Sequence, residues 1–311
     1  MCLFLVLVII SLLTWIRVNP TLSISSDEKN FINALNNILI PRSLDSKGHA
    51  KVCDFLEEEL EKLGFKAILD ESDEPYPLAN VIGITNPSAK RFLLLSCHYD
   101  SKYLESTNIF VSATDAGVSC AILLNMAKTL TSLPDLDLFQ RDDIGLVLAF
   151  FDAHDSTNGM NDGFIPLYGS RNFIQNEIIS LKRINAVITL NLIGAPNQIY
   201  MSKYEKTFIF HEHMADVEIK LKESGQLHKC HQLFYKLKDH DSDFDDDHYS
   251  FLEAGVPVMH VVPHTYPEVW HQEEDNFENL HWPSVHNMNA IMTRFVYDYF
   301  RYYFEYTDDS D

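Results

Sequence analysis

Two kinds of hydrophobic pattern run along the chain, and each predicts a different secondary structure. Short continuous apolar runs, separated by Gly, Pro and Asn, are typical of buried strands. The predicted strands are Phe65–Leu69, Asn80–Ile84, Phe92–Cys97, Leu146–Phe151, Ala186–Ile193 and Val256–Val262. Apolar residues spaced three and four apart predict helices. The predicted helices are Asp45–Leu63, Val118–Leu130, Leu167–Leu181, Lys203–Glu223 and Val285–Phe304.

The alternation of these strands and helices indicates an α/β fold, in which helices cover both faces of a central sheet. The chain contains no internal repeat and no low-complexity linker, so we predict a single domain over residues 26–311. A chain of 311 residues, of which 46% are hydrophobic, is long enough to bury one large core.

The N-terminus differs in character from the rest of the chain. Cys2–Ile16 carries no charge, and Arg17 follows it. This apolar run is shorter than the roughly 20 residues that span a bilayer, and it fits the apolar region of a secretory signal. We predict that residues 1–25 are a signal peptide or, alternatively, a short uncleaved anchor. The protein is then expected to be secreted or, with the anchor, to stay in the lumen of the Golgi and secretory pathway.

The net charge restricts the classes of binding partner, and the cysteines bear on possible disulfide bonds. A formal net charge of −21 argues against nucleic acid as a partner, because phosphate backbones repel an acidic chain. We expect no membrane contact beyond the leader. Cys2 lies in the leader, and the four remaining cysteines permit three disulfide pairings in an oxidising compartment. These are Cys53, Cys97, Cys120 and Cys230.

Polar residues that bind metals or move protons follow several of the predicted strands. They are His98, Asp100, Asp152, His154, Asp155, Asn191 and, after a loop, His271, while Asp115 precedes a helix. Sites in α/β sheets lie at the carboxyl ends of the strands, so these residues should cluster. Zinc takes a mixture of His and carboxylate ligands, and a catalytic zinc keeps three protein ligands and an open position. The pattern therefore indicates a candidate zinc site.

Each of these residues also has a simpler interpretation. Asp115 follows Thr114 before a helix, where it can act as an N-cap. His271 can be a surface residue. The acidic run at 239–248, DHDSDFDDDH, is typical of a solvated loop or of a weak calcium site that lacks the Gly and terminal Glu of an EF-hand.

Seven stretches together give the chain a specific resemblance. They are CHYDSKY (Cys97–Tyr103), ATD followed by Cys120, LAFFDAHD (Leu148–Asp155), LYGSRNF (Leu167–Phe173), LNLIGAPN (Leu190–Asn197), DDDHYSFLEAGVPVMHVVP (Asp245–Pro263) and PEVWHQEEDNFENL (Pro267–Leu280). With these stretches the chain resembles glutaminyl-peptide cyclotransferases (glutaminyl cyclases), which are zinc acyltransferases on the fold of the M28 aminopeptidases. The resemblance implies a mixed, mostly parallel central sheet.

The resemblance also implies a metal site and a disulfide. It implies one zinc ion held by Asp115, Asp155 and His271. It further implies a disulfide between Cys97 and Cys120, which leaves Cys53 and Cys230 undecided.

A substrate pocket and a proton-transfer group are implied in the same way. Trp270, Tyr266 and His260 match pocket positions, and Asp246 matches the Asp of a loop that orients the transferred proton. The implied reaction converts an N-terminal Gln of a peptide to pyroglutamate with release of ammonia. We also expect the protein to be a monomer.

The chain departs from the family pattern at positions that matter for proton transfer. The family has Glu as the proton shuttle where His154 stands and Glu as a zinc ligand where Asp155 stands. Asn191 replaces an Asp, and a second pocket Trp is missing from 158–161. Imidazole can act as a shuttle near neutral pH, so His154, with Asn191 and Asp246, is the predicted catalytic set.

Two functions remain open from the sequence. The first is a zinc-dependent glutaminyl cyclase, active or weakened, that acts on secreted peptides. The second is a catalytically inactive paralogue that binds peptides or proteins on the same fold. A two-metal aminopeptidase is disfavoured, because it needs a carboxylate at Asn191 and a Glu base at His154.

Overall fold

A computed structural model describes residues 27–73, 77–105, 107, 109–154, 167–240 and 245–302. The helices are α1 (Glu28–Ile38), α2 (Lys47–Lys62), α3 (Val118–Thr131), α4 (Tyr168–Gln175), α5 (Phe208–Glu223), α6 (His248–Glu253) and α7 (Trp282–Tyr302). The strands are β1 (Lys66–Ser72), β2 (Leu78–Ile84), β3 (Arg91–His98), β4 (Ile144–Phe151), β5 (Ile184–Leu190), β6 (Tyr200–Ser202), β7 (Phe234–Lys238) and β8 (Val258–Val261).

Six strands form the central sheet, in the order β1-β2-β4-β3-β5-β8. The pairs β4–β3, β3–β5 and β5–β8 are parallel, whereas β1–β2 and β2–β4 are antiparallel. The prediction of a single α/β domain with a mixed, mostly parallel sheet is therefore confirmed. A separate two-stranded sheet pairs β6 with β7.

Alternate residues of the central strands face two different hydrophobic cores. In β3, Leu93 and Leu95 point into the larger core, whereas Phe92 and Leu94 point into the smaller one. Helices α1, α2, α3, α5 and α7 contribute to the larger core, and α4 and α6 to the smaller. Both faces of the sheet are thus buried, which explains why its strands read as continuous apolar runs.

Element boundaries differ from the predicted ones where local chemistry interrupts the pattern. The helix predicted at 167–181 ends at Gln175, and β5 ends at Leu190 rather than Ile193. Asn191 is therefore the first residue after its strand. The hydrophobic pattern did not predict α1, α6, β6 or β7. Of these, α6 has six residues and begins inside the acidic run, and β6 has three.

No helix among the described residues is both long and apolar enough to cross a membrane. The predicted leader at 1–25 lies outside the described residues.

Candidate active site

The carboxyl ends of β3, β4, β5 and β8 meet at one edge of the sheet, as the parallel pairings require. His98 is the last residue of β3, and Asn191 directly follows β5. The chain turns sharply after β4, where Ala153 has a left-handed φ of 53°. This turn carries His154 back over the end of β3, so that its ring stacks on that of His98 with centroids 4.1 Å apart.

One group of residues, the metal-side cluster, consists of His98, Asp115, Trp270 and His271. The Asp115 carboxylate lies at its centre. Its Oδ1 is 3.2 Å from His98 Nε2, and its Oδ2 is 3.2 Å from His271 Nε2. Trp270 Nε1 donates a hydrogen bond of 3.1 Å to the same Oδ2. Two predicted zinc ligands, Asp115 and His271, are thus brought together.

Asp115 does not cap a helix, so the simpler interpretation of this residue is wrong. It lies in a single wide turn, Ala113–Gly117, with a non-helical φ of −119°, and α3 begins only at Val118. The carboxyl of Asp275 accepts a hydrogen bond of 2.8 Å from the Thr114 amide and so fixes this turn. The Asp115 side chain therefore points into the site.

A buried arginine supports the same turn. Arg42 donates hydrogen bonds to the carbonyl oxygens of Tyr99, Val111 and Ser112. Its side chain is completely buried, so it joins the end of β3 to the start of the Asp115 turn. Sequence reasoning missed Arg42, because nothing in its local pattern distinguishes it from a surface Arg.

Hydrogen bonding sets the charges of the metal-side cluster. Burial alone would raise the pKa of Asp115, but hydrogen bonds with His271 and His98 outweigh burial and hold that pKa well below its usual range. Burial alone would lower the pKa of His98, but Asp100 and Asp115 raise it well above the usual value. The cluster therefore holds an ionised carboxylate between two imidazoles.

The second group, the proton-side cluster, consists of His154, Asn191, Asp246 and Asp247. His154 Nδ1 lies 3.1 Å from Asp247 Oδ2 and 3.8 Å from Asp246 Oδ1. Asn191 Nδ2 donates a hydrogen bond of 2.9 Å to Asp246 Oδ2. All three predicted catalytic residues thus meet in one buried network, together with Asp247, which the prediction had not included.

Asp246 is the most heavily hydrogen-bonded member of the proton-side cluster. In addition to Asn191, its Oδ2 lies 3.0 Å from His260 Nε2, and its Oδ1 accepts from the Asp247 amide at 2.6 Å. Burial alone would raise the pKa of Asp246, but His154 and His260 lower it well below the usual value. His260, predicted as a pocket residue, is buried and stacks on His248 with ring centroids 4.1 Å apart.

The acidic run at 239–248 is not a solvated loop at its C-terminal end. Asp246, Asp247 and His248 are all buried, and His248 Nε2 lies 2.7 Å from the Tyr204 hydroxyl. Residues 241–244 lie outside the described part of the chain. The simpler interpretation is therefore wrong for 246–248, because three histidines compensate the buried carboxylates in the folded protein.

Neighbouring groups shift the pKa of His154 in opposite directions. Burial and the adjacent His98 lower its pKa, but Asp247 and Asp246 outweigh them and raise it to about 9. The backbone N–H of His154 also donates to Asp100 Oδ1 at 3.2 Å. Both the main chain and the ring of this residue are therefore fixed.

An aromatic wall and one lysine stand beside the metal-side cluster. The Tyr266 and Trp270 rings have centroids 4.5 Å apart, and Trp270 stacks on His271 at 3.8 Å. Tyr266 is 45% exposed, so the wall opens to solvent. Lys102 Nζ lies 3.4 Å from His271 Nδ1. Both predicted pocket aromatics thus lie next to a predicted metal ligand.

Several predictions fall on residues that the structure does not describe or does not test. Asp155, the third predicted zinc ligand, lies outside the described residues, as does 158–161. Cys97 and Cys120 are buried neighbours, and both are thiols in this structure. The disulfide between them remains a prediction.

The two described donors on the metal side are of types that zinc binds. Asp115 and His271 supply a carboxylate and an imidazole, and His98 bonds the second Asp115 oxygen in the way that outer residues orient metal ligands. Within the described chain, two proton-side groups also bring three donor atoms within 4.8 Å of one another. These are His154–Asp246–Asp247 and Asp246–His248–His260. Asp246, which both groups share, already accepts three hydrogen bonds.

Comparison with known proteins identifies the family. Residues 80–296 match Peptidase family M28. Glutaminyl-peptide cyclotransferase from Bos taurus is 32% identical over 86% of this chain and 81% of its own length. The enzyme of the same name from Drosophila melanogaster is 30% identical over 88% of this chain and 81% of its own.

Solved structures agree with these matches. The crystal structure of Macrostomum lignano glutaminyl cyclase superimposes with a TM-score of 0.80 at 26% identity, covering 89% of this chain and 90% of that one. Porphyromonas gingivalis glutaminyl cyclase shares the fold, with a TM-score of 0.72 at 19% identity over 89% of this chain and 99% of that one. The chain is therefore a member of the glutaminyl-peptide cyclotransferases within peptidase family M28.

Proposed function

We propose that this protein is a zinc-dependent glutaminyl-peptide cyclotransferase that converts the N-terminal Gln of secreted peptides to pyroglutamate. The observation that carries the proposal is the joining of two clusters at one sheet edge. The stacked rings of His98 and His154 link the carboxylate–imidazole pair of Asp115 and His271 to a buried imidazole with its own carboxylate partner.

The metal-side cluster would hold the zinc ion through Asp115, His271 and, by resemblance, Asp155. Zinc bound there would supply Lewis acidity that polarises the γ-carbonyl of the substrate Gln. Asp115 is ionised and both its oxygens are oriented by hydrogen bonds, so the ligand is ready before the metal arrives.

The proton-side cluster would move one proton between two nitrogens of the substrate. The α-amine nitrogen forms a bond to the carbonyl carbon (Cδ) of the Gln side chain, and the bond from that carbon to the amide nitrogen breaks. His154 would accept the proton that the α-amine loses and return it to the amide nitrogen, which leaves as ammonia. No other reactant is consumed.

Asn191 suits a network built around an imidazole. Its amide donates to Asp246, whereas an Asp at this position would place two carboxylates 2.9 Å apart and force them to share a proton. Asp246 can therefore stay ionised and help to stabilise the protonated His154. The two substitutions at 154 and 191 are physically compatible with each other.

Trp270 and Tyr266 would form the apolar wall against which the Gln side chain packs. Their rings contact each other beside His271, and Tyr266 reaches solvent, where the rest of a peptide would continue. We propose peptides with N-terminal Gln as the substrates, a monomeric protein, and secretion, or retention in the Golgi lumen if the leader is an uncleaved anchor.

A catalytically inactive peptide-binding protein is the second candidate, and the charge of His154 favours it. With a pKa of about 9, the imidazole is protonated at neutral pH and has no lone pair to accept a proton. A divalent cation held by Asp115 and His271 would add nearby positive charge and lower the pKa of His154. The neutral ring could then accept a proton, as the cyclotransferase function requires.

The test uses purified protein, a fluorogenic peptide with N-terminal Gln, and metal analysis. We expect about one zinc per chain and turnover that a chelator abolishes and zinc restores. If the wild-type protein shows no turnover from about pH 5 to 9 while the double variant His154→Glu, Asn191→Asp turns over, the second candidate is correct. A folded sample that binds no zinc would contradict the assigned ligands.

A further inference from the structure

Asp247 makes a hydrogen bond to the His154 ring, whereas Asp246 stays 3.8 Å from the same ring nitrogen. Its Oδ2 lies 3.1 Å from His154 Nδ1, and this is the nearest carboxylate oxygen to that nitrogen in the described structure. Asp247 immediately precedes α6, so its backbone is anchored by that helix. The side chain is completely buried, as is nearly all of His154.

Asp246 and Asp247 differ in the number of hydrogen bonds that their carboxylates accept. Asp246 accepts from Asn191, from the Asp247 amide and from His260, so its charge is shared among several donors. Asp247 Oδ1 has no hydrogen-bond partner in the described part of the chain. Among the described residues, the Asp247 carboxylate therefore makes its side-chain hydrogen bond to His154.

This contact decides which nitrogen of His154 keeps its proton and which is left to exchange one. A carboxylate accepts, so Nδ1 must be the donor, and in the neutral ring the lone pair then lies on Nε2. The ring plane is held in addition by the stack on His98, and the main chain is held by Asp100 Oδ1. With Nδ1 engaged, Nε2 is the atom left to exchange a proton with a substrate.

We propose that Asp247 is a positioning residue that holds His154 in the Nδ1–H tautomer and so directs its Nε2 toward the substrate. This role rests on the proposed cyclotransferase function. It belongs to this chain in particular, because it requires an imidazole at position 154. The Asp247–His154 pair would then transfer the proton that, by resemblance, a Glu carboxylate transfers in the family.

The kinetic test compares Asp247→Asn in two backgrounds, wild type and His154→Glu. In the wild-type background we expect kcat to fall roughly a hundredfold with KM changed less than about threefold, because an amide can reverse the tautomer without removing the substrate contacts. In the His154→Glu background the same substitution should leave kcat unchanged or raise it, because it removes a carboxylate facing a carboxylate.

The reversal between backgrounds separates positioning from a structural role. If Asp247 only stabilises the fold, the substitution lowers kcat by the same factor in both backgrounds, and the proposal is overturned. Asp245→Asn is the matched control, since Asp245 lies two residues away and is exposed. It should leave kcat within about twofold in both backgrounds, and thermal unfolding should confirm that all variants are folded.

A second measurement does not depend on turnover. Nitrogen-15 NMR of labelled histidines, recorded at a pH above the His154 pKa of about 9 so that the ring is neutral, reports which ring nitrogen of His154 carries the proton. We expect an Nδ1–H signal for His154 in the wild-type protein that is lost or moved in Asp247→Asn and retained in Asp245→Asn. A His154 tautomer that is unchanged by Asp247→Asn overturns the proposal. If the signal behaves as expected but no variant turns over, the cyclotransferase function fails and the positioning role stands.

Discussion

The two clusters of the site are built on the same sheet edge but differ in how closely they follow the family. On the metal side, Asp115, Trp270 and His271 occupy the positions that the resemblance assigns, and they contact one another. On the proton side, His154 and Asn191 replace two carboxylates, yet both are hydrogen-bonded within a buried network. Among the described residues, the metal side therefore keeps the residue types of the family, whereas the proton side is built from an imidazole and an amide.

The reason lies in what each cluster must hold. A metal ion needs donor atoms of the right type at fixed distances. A proton path needs only a base of suitable pKa with a partner that orients it, and an Asp–imidazole pair satisfies this as a carboxylate network does. A change at one position of such a network must be matched at another, because buried like charges are costly.

The largest effect should come from removing a metal-side ligand. We expect His271→Ala to lose zinc and to lower kcat/KM by at least about 10³-fold, since Lewis-acid catalysis and ligand affinity disappear together. Zinc content and peptide turnover are the measurements. His264→Ala, an exposed histidine paired with Asp239, is the control and should retain both properties. Full zinc occupancy in His271→Ala would show that the metal lies elsewhere, at one of the proton-side groups.

On the proton side, Asn191→Asp alone should be harmful. It places a second carboxylate against Asp246, and we expect a loss of about 1–3 kcal/mol in the free energy of unfolding together with a roughly tenfold to hundredfold fall in kcat. Urea unfolding and steady-state kinetics at neutral pH check both effects.

Asn172→Asp provides the control for that experiment, because Asn172 Nδ2 also donates to an aspartate, Asp70, at 2.9 Å. This pair lies outside the site, so the variant should lose stability but keep kcat. If Asn191→Asp matched Asn172→Asp in both measurements, the proton-side cluster would have no special role in catalysis.

A smaller effect on kcat/KM is expected from changing Trp270, whose indole contacts both Asp115 and the pocket residue Tyr266. Trp270→Phe keeps an aromatic wall but removes the hydrogen bond to Asp115, so we expect kcat/KM to fall about tenfold, or ~1.4 kcal/mol, with zinc retained. The control is Trp282→Phe, because Trp282 packs against Phe277 and lies outside the site. An unchanged kcat/KM in Trp270→Phe would show that the indole only fills space.

The smallest expected effect is on stability and comes from Asp275, which supports the turn that carries Asp115. Burial raises the pKa of Asp275 to about 7, and its carboxyl accepts from the Thr114 amide. Between about pH 4 and 7 the folded protein keeps this proton while the unfolded chain releases it, so Asp275 makes stability fall as pH rises. Asp275→Asn should flatten that decline by on the order of 1–2 kcal/mol.

Unfolding free energies of both proteins from pH 4 to 8, in metal-free buffer, measure this difference. Wild-type stability that rises more steeply with pH than that of Asp275→Asn would contradict the assigned pKa. Comparing the two proteins cancels the titration of all other groups, provided those groups are undisturbed.

The sequence by itself determined the fold class and most of the strand ends. Both faces of the sheet are buried, so β3, β4 and β5 appear as unbroken apolar runs that can be recognised without a structure. Because parallel strands place their carboxyl ends together, residues such as His98, His154 and Asn191 could be assigned to one site from their positions alone.

Only the tertiary structure decided which of these groups contact each other. Taken alone, local pattern allowed Asp115 to be a helix cap and 239–248 to be a solvated loop or a weak calcium site, because acidic residues are usually exposed. In the folded chain, imidazoles from distant segments surround Asp115 and Asp246, and Asp247 reaches His154. Burial of a charge depends on partners far away in sequence, so no local pattern could show that Asp247 belongs to the site.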